Sequence, residues 1–291
     1  MKLAPMLAAS GTSVPDDASW AYEPKWDGLR TIARIGPDLD VRMASRQGGG
    51  LTRTFPELAG MGHVLGRSVV LDGETIVLDP DGRPSFDRLS TRMRSATPER
   101  AAFRSPATFV AFDLLELDGE PLVDRPWWLR RELLEGLDWR GASAVPTLVC
   151  DDGPALLAAT AALGVEGVVC KRRKARYVCG RRTNAWVKVK NPGSGWFDVV
   201  GWRPVSRSHP AGAIVLADEG RPAGTALPGL RDDERAILDR FVSRHGVREG
   251  GIVRLTAPAA QVHVQYTERS PRGLVRQAVA YRLRAALPGA A

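Results

Sequence analysis

The chain has 291 residues, 25% of them charged and 44% apolar, a balance that suits about two globular domains, each able to bury a core. Its 41 Lys and Arg against 33 Asp and Glu give a formal net charge of +8, which favours an anionic partner such as nucleic acid. Three cysteines without a Cys-x-x-Cys pair argue against a zinc site, and no apolar run approaches the roughly 18 residues of a membrane helix. Met1 to Asp17 lacks the apolar core of a signal peptide, so the expectation is a cytoplasmic protein with reduced thiols.

In chain order, Ser19 to Lys25 reads as a strand that runs into Glu23-Pro24-Lys25-Trp26-Asp27-Gly28-Leu29-Arg30. A lysine amine is a nucleophile only when neutral, and its ordinary pKa of about 10.4 requires help from burial or from neighbouring cations. Asp27-Gly28 predicts a tight turn, with Gly28 free to take backbone angles that other residues resist. Taken alone, a Lys-x-Asp-Gly is more readily an exposed lysine in a hairpin. Leu29 to Ile35 and Leu39 to Met43 read as strands separated by Gly36-Pro37-Asp38. Ser45-Arg46-Gln47-Gly48-Gly49-Gly50 is a glycine-rich loop whose arginine and amides suit a phosphate. Val69 to Leu78 holds two apolar strand halves around Asp72-Gly73-Glu74, either a hairpin tip or a carboxylate whose burial demands a partner.

Ser85 to Arg94 reads as a short basic helix, and Phe109 to Leu117 as a strand containing Phe112. Arg125-Pro126 opens a helix that continues from Trp127 to Leu137, with Trp127, Trp128, Leu133 and Leu134 as packing residues. Thr147 to Cys150 reads as a short strand, Pro154 to Leu163 as an Ala/Leu helix, and Glu166 leads an apolar strand ending at Lys171. From Lys171 to Lys190 there are nine basic residues and no acidic one. The run ends in Trp186-Val187-Lys188-Val189-Lys190, whose alternation points both lysines to one strand face. Two ammonium groups there call for an anion, and they could offset charge as it shifts on a phosphate in a transition state. Brought beside a third lysine, they would also favour its neutral form.

Asn191 to Gly195 is the clearest linker. Beyond it, strand candidates at Phe197 to Arg203, Ala213 to Ala217, Ile252 to Thr256 and Gln261 to Tyr266, with an amphipathic helix from Asp232 to His245, suit a small Greek-key barrel of the OB type. Thr267 to Arg284 is rich in arginine: Arg269, Arg272, Arg276, Arg282 and Arg284.

In this order the lysine stretch, arginine loop, two glutamates, aromatic strand and Lys-x-Lys resemble the motifs of covalent nucleotidyltransferases: DNA ligases, RNA ligases and mRNA capping enzymes. The resemblance is strongest from Lys2 to Lys190, where Pro5-Met6-Leu7-Ala8 also looks ligase-like. It is closest to bacterial ATP-dependent DNA ligases of the end-joining and repair type with a minimal catalytic core. It implies an α+β chain. Residues 1–192 would form a nucleotidyltransferase (adenylation) domain, an ATP-grasp-like ligase domain of antiparallel sheets and flanking helices. Residues 193–291 would form an OB-fold β-barrel.

The resemblance also implies roles. Lys25 would attack the α-phosphate of ATP and carry AMP, helped by Lys188 and Lys190, and Asp27 would handle metal or hydroxyl in later steps. Arg30 falls among the nucleotide-binding residues, Arg46 would touch the 5′-phosphate of a nick, and Phe112 would stack on the purine. Glu74 would meet the ribose or a metal, and Glu166 a metal, with Mg²⁺ or Mn²⁺ held by these two carboxylates. Glu23 can accept from the adenine N6 amino group and would repel guanine O6, which favours ATP over GTP and argues against a capping guanylyltransferase. The family's usual Asp-Lys close is missing, so the residue that orients pyrophosphate stays open. The implied function is sealing of 5′-phosphate/3′-hydroxyl nicks in duplex DNA during repair, by a nucleoid-associated monomer working beside an end-binding protein or repair polymerase. The alternatives are an RNA ligase, or a ligase of ribonucleotide-containing nicks, and a binding module with a dead nucleotide fold.

Overall fold

The computed structural model describes residues 4–141, 143–205, 211–256, 260–270 and 273–285, so Lys2 and Arg272 lie outside the described residues. The chain divides into two compact units, Met1–Asn191 and Pro192–Ala291.

The strands of the first unit are β1 (Leu7–Ser10), β2 (Trp20–Pro24), β3 (Leu29–Ile35), β4 (Val41–Ser45), β5 (Val69–Val77), β6 (Ala107–Leu117), β7 (Glu120–Pro121), β8 (Ala144–Pro146), β9 (Gly167–Arg172) and β10 (Arg182–Lys190). Its helices are α1 (Met61–Leu65), α2 (Phe86–Met93), α3 (Pro98–Arg104), α4 (Trp127–Glu135) and α5 (Gly153–Ala162). One sheet has the order β1-β10-β9-β2, and the other the order β4-β3-β5-β6-β7 with β8 alongside β6. β1 and β10 pair in parallel, as do β6 and β8, while β2–β9, β9–β10, β3–β4, β3–β5 and β5–β6 are antiparallel.

Period-two alternation gives each sheet two different faces. Trp20, Tyr22, Val168, Cys170 and Val189 turn to one side and bury a core with Leu156 of α5. Glu23, Lys171, Trp186 and Lys188, one residue out of phase, line a cavity. In the second sheet Ala33, Ile35, Val69, Leu71, Phe109 and Ala111 join the largest core. Arg30, Glu74 and Phe112 of that sheet line the same cavity. The two sheets of the first unit therefore meet across it.

Several elements differ from the sequence reading. The strand expected at Thr147 to Cys150 lies earlier, at Ala144–Pro146, and Cys150 only bridges Tyr22. Trp128 is exposed while Trp127 is buried, because successive helical residues point about 100° apart. The glycines of the expected linker, Gly193 and Gly195, belong to a strand and pair with Tyr266 and Val264. Gly28 does not have a positive φ. It is needed for close approach, since a Cβ there would lie 2.5 Å from the Thr75 carbonyl oxygen.

The second unit contains β11 (Gly193–Arg203), β12 (Ala213–Asp218), β13 (Arg221–Pro228), α6 (Asp232–His245), β14 (Gly246–Glu249), β15 (Ile252–Leu255), β16 (Ala260–Tyr266), β17 (Glu268–Arg269), β18 (Val275–Arg276) and β19 (Ala278–Ala285). Its main sheet runs β12-β13-β19-β16-β11-β15-β14, and β12 also pairs with β11. That extra pairing closes five strands into a ring around Phe197, Val199, Ile214, Leu216, Val262 and Val264, with Leu238 of α6 packed into the same core.

Candidate active site

The cavity of the first unit is lined by Glu23, Lys25, Trp26, Arg30, Arg46, Glu74, Phe112, Lys171, Arg182, Trp186 and Lys188, among others. Lys25 follows directly on β2, and its backbone N–H donates to the Gly167 carbonyl at 2.8 Å, which fixes where the side chain starts. Its Nζ contacts the Glu166 carboxylate, whose other oxygen lies 2.8 Å from Lys190 Nζ. Burial alone would raise the Glu166 carboxyl, but the Lys25 charge and the hydrogen bonds from Lys190 and Lys25 outweigh it and hold it below the usual range. The backbone around Glu166 is fixed in turn: Asn191 N donates to its carbonyl at 2.9 Å, and Asn191 Nδ2 donates to the Val165 carbonyl at 2.8 Å. Burial pushes the Lys188 ammonium down, and the neighbouring Lys25 and Lys190 charges add to that.

Glu23, in the cavity wall, is 2% exposed. One oxygen, Oε2, is 2.8 Å from Lys171 Nζ, while the buried Oε1 has no hydrogen-bond partner among the described residues. Burial pushes the Glu23 carboxyl up against the pull of Lys171. Lys171 is almost fully buried and donates to the Phe112 carbonyl at 2.8 Å. Its Nζ lies 4.6 Å from the Phe112 ring centroid and 4.3 Å from that of Trp186. Phe112 packs edge-on to Trp186, with centroids 6.0 Å apart, and the Arg30 guanidinium lies 4.5 Å from the Phe112 centroid. The aromatic ring therefore stands at the cavity wall between cations.

Arg30 and Glu74 are direct cross-strand neighbours on β3 and β5. Arg30 nevertheless gives its fork to fully buried Asp72, with Nε–Oδ1 and NH2–Oδ2 both at 2.6 Å, and Tyr177 Oη donates to Asp72 Oδ2 at 2.5 Å. β5 is thus one continuous strand rather than a hairpin, and Arg30 is the partner that the buried carboxylate required. Glu74 accepts no hydrogen bond among the described residues. Burial carries its carboxyl up to about 7, against the pull of Arg30 and Lys25. Arg46 stands on a tight loop in which Gly48 N and Gly49 N both donate back to Ser45, leaving the guanidinium exposed at the rim.

Of the residues selected by sequence, Glu23, Lys25, Arg30, Arg46, Glu74, Phe112 and Lys188 meet in the cavity wall. Glu166 and Lys190 join them through the ion pairs around Lys25, and Asp27 lies exposed on the adjoining turn. Lys171, Trp186 and Trp26 were not selected, although they line the same space. The phase of β9 held the signal for Lys171, which alternates with Val168 and Cys170 and so must face away from their core.

The cavity fits a purine nucleotide. It offers in Glu23 a buried acceptor without a partner among the described residues, flat aromatic walls, and lysines and arginines for phosphates. Among the described residues no group of three or more His, Cys, Asp or Glu side chains forms a ready metal cage. Glu74 and Glu166 suit Mg²⁺ in its common form, with one or two carboxylates plus water and substrate phosphates. Among the described residues no helix is long and apolar enough to cross a membrane.

Comparison with known proteins places this geometry. Residues 5–190 match the family described as the ATP dependent DNA ligase domain. The chain is 36% identical over 294 residues to the multifunctional non-homologous end joining DNA repair protein LigD of Mycobacterium tuberculosis, covering 94% of this chain but only 37% of that protein. It is 37% identical over 266 residues to DNA ligase C1 of Mycolicibacterium smegmatis, covering 84% of this chain and 75% of that protein. A mycobacterial DNA ligase D solved in complex with ATP and MES superposes with a TM-score of 0.61 at 33% identity, covering 97% of this chain and 95% of the other. The chain belongs to the ATP-dependent DNA ligase family, among its bacterial LigD-like members.

Proposed function

We propose that the chain is the catalytic core of an enzyme that seals nicks in duplex DNA through a lysyl-AMP intermediate. ATP is a substrate in this scheme. Lys25 Nζ, once its proton has left, attacks the α-phosphorus; an N–P bond forms and the bond to pyrophosphate breaks. The AMP then passes to the 5′-phosphate of the nick and the lysine regains its proton. A 3′-hydroxyl attacks that activated phosphate and releases AMP.

The observation that carries this reading is the position of Lys25, in one cavity with the partnerless buried oxygen of Glu23 and the cation Lys188. Glu23 would accept from the adenine amino group. Phe112 would hold the base, with Arg30 and Glu74 toward the ribose. Lys188 and Lys190 would counter charge on the phosphate, and Arg46 at the rim would meet the 5′-phosphate. Asp27, exposed beside Lys25, would act in the later steps. Glu74 and Glu166 would hold Mg²⁺, which when bound would neutralise the polyphosphate.

Residues 1–192 form the adenylation domain in this reading, and residues 193–291 an OB-fold barrel. The closed five-strand ring of the second unit supports the barrel. End-joining repair, with an end-binding protein or repair polymerase as partner, is the context that the LigD relatives favour, and the nucleoid in the cytoplasm is its place. The test is mass spectrometry after incubation with ATP and Mg²⁺. The wild-type chain should gain one AMP at Lys25, and Lys25→Ala should gain none and lose nick sealing. An adduct that persists in Lys25→Ala would sink the assignment.

A further inference from the structure

Away from the nucleotide cavity, the first unit has a second concave surface of about 650 Å³ between α2 and α3. It is lined by Arg88, Arg92, Arg94 and Arg104 with Ser95 and Ser105, and among the described residues Asp87 is its only carboxylate. Arg92 is the buried root of the group, 2% exposed. Its NH2 meets both oxygens of Glu57, at 2.8 and 3.0 Å, and donates to the Thr54 carbonyl at 3.1 Å, so its charge is spent within the fold. The other three arginines are in a different condition. Arg88 donates to Ser105 Oγ at 3.0 Å, and its buried Nε has no partner among the described residues. Among the described residues no carboxylate lies within ion-pair distance of Arg88, Arg94 or Arg104. Three guanidiniums facing one cleft repel each other unless an anion comes between them, and the fork of arginine suits phosphate oxygens.

The position of the cleft narrows what that anion is. α2 follows β5 closely, with Ser85 N donating to the Val77 carbonyl at 2.8 Å. The same end of β5 supplies Thr75 and Ile76, against which Gly28 packs two residues after Trp26. The cleft thus starts where the lysine turn ends. Ala101 is the one apolar side chain in the lining, which offers no anchor of the kind a protein partner would use.

We propose that the α2–α3 cleft is a backbone clamp for the duplex substrate, in which Arg88, Arg94 and Arg104 take phosphates of one strand near the nick. This rests on the nick-sealing reading above. Such contacts position a duplex without reading its sequence, and each phosphate neutralised contributes about 0.9 to the slope of log affinity against log salt.

The test uses the full chain carrying Arg94→Glu and Arg104→Glu together, both exposed positions. Lysyl-AMP formation from ATP reports the cavity, and fluorescence anisotropy with a nicked duplex at several KCl concentrations reports the clamp. The expected result is unchanged lysyl-AMP formation, nick binding weakened at least 10-fold at low salt, and a salt slope shallower by about one to two. Arg100→Glu, on α3 but not lining the cleft, should lose markedly less. Wild-type affinity and slope in the double variant would overturn the clamp while leaving the nick-sealing reading intact, as would an equal loss in Arg100→Glu. Acidic peptide displaced from the cleft while DNA binding stays normal would assign it to a protein instead, and would equally overturn it.

Discussion

Glu74 and Asp72 are two carboxylates two residues apart on one strand, with opposite circumstances. Asp72 is fully buried and receives hydrogen bonds from Arg30 and Tyr177, so its charge is answered within the fold. Glu74 has no such donor, and burial lifts its carboxyl to about 7. The folded state then holds a proton that the unfolded chain releases near the ordinary glutamate value of about 4.3. The sign follows: stability attributable to Glu74 is full below that value and falls as pH rises toward 7, because the native state binds more protons across this window. Glu74→Gln removes the titration. Urea unfolding at pH 5, 6, 7 and 8 should show wild type losing ground steadily to Glu74→Gln as pH rises. A difference that stays flat from pH 5 to 8 would mean that Glu74 is not desolvated as described. The same property suits a residue awaiting a cation or a ribose hydroxyl, either of which would favour the charged carboxylate.

At the scale of elements, Gly28 shows how the fold places Lys25. Residues 25–28 carry the chain from β2 in one sheet to β3 in the other, and Gly28 crosses so close to β5 that a Cβ would meet the Thr75 carbonyl at 2.5 Å and the Glu74 side chain at 2.9 Å. Gly28→Ala must push the crossover away from β5 and carry Lys25 with it. The expected outcome is a stability loss of about 1–3 kcal/mol and a fall in lysyl-AMP formation much larger than that loss explains. A variant that folds and adenylates like wild type would contradict the close-approach account. The element boundaries were legible where the local pattern was regular: the strand Leu29–Ile35 and the amphipathic helix Asp232–His245 agree with the sequence reading to the residue. They were not legible where small or turn-forming residues make strands. Leu7–Ser10 and Arg221–Pro228 carry little alternation of their own and are strands because β10 and β12 pair with them. The same limit hid part of the site. Motif residues fell in the cavity, but the Arg30–Asp72 pair and the Glu23–Lys171 pair join strands far apart in sequence, which no local pattern reports. The glycines after Asn191 read as a linker for the same reason, since their partners in β16 lie some 70 residues on.

For the whole molecule, the separation of the cores has a measurable consequence. The clusters around Leu71, Trp186 and Tyr22 draw only on the first unit, and the cluster around Val262 only on the second. Every residue lining the nucleotide cavity also comes from the first unit. A ligand that binds native cavity and not unfolded chain stabilises what it binds by RT ln(1 + [L]/Kd), about 2.7 kcal/mol at a concentration 100 times Kd. In the proposed scheme AMP would fill the nucleoside part of the cavity without undergoing transfer. Calorimetry should resolve two transitions, with AMP raising the one that belongs to the first unit and leaving the other in place. The two can be told apart because Glu74→Gln should move the AMP-sensitive transition alone. A single cooperative transition, or two that rise together with AMP, would show that the units stabilise each other through contacts strong enough to merge their unfolding, and the nucleotide would then be felt throughout the chain rather than in the unit that holds it.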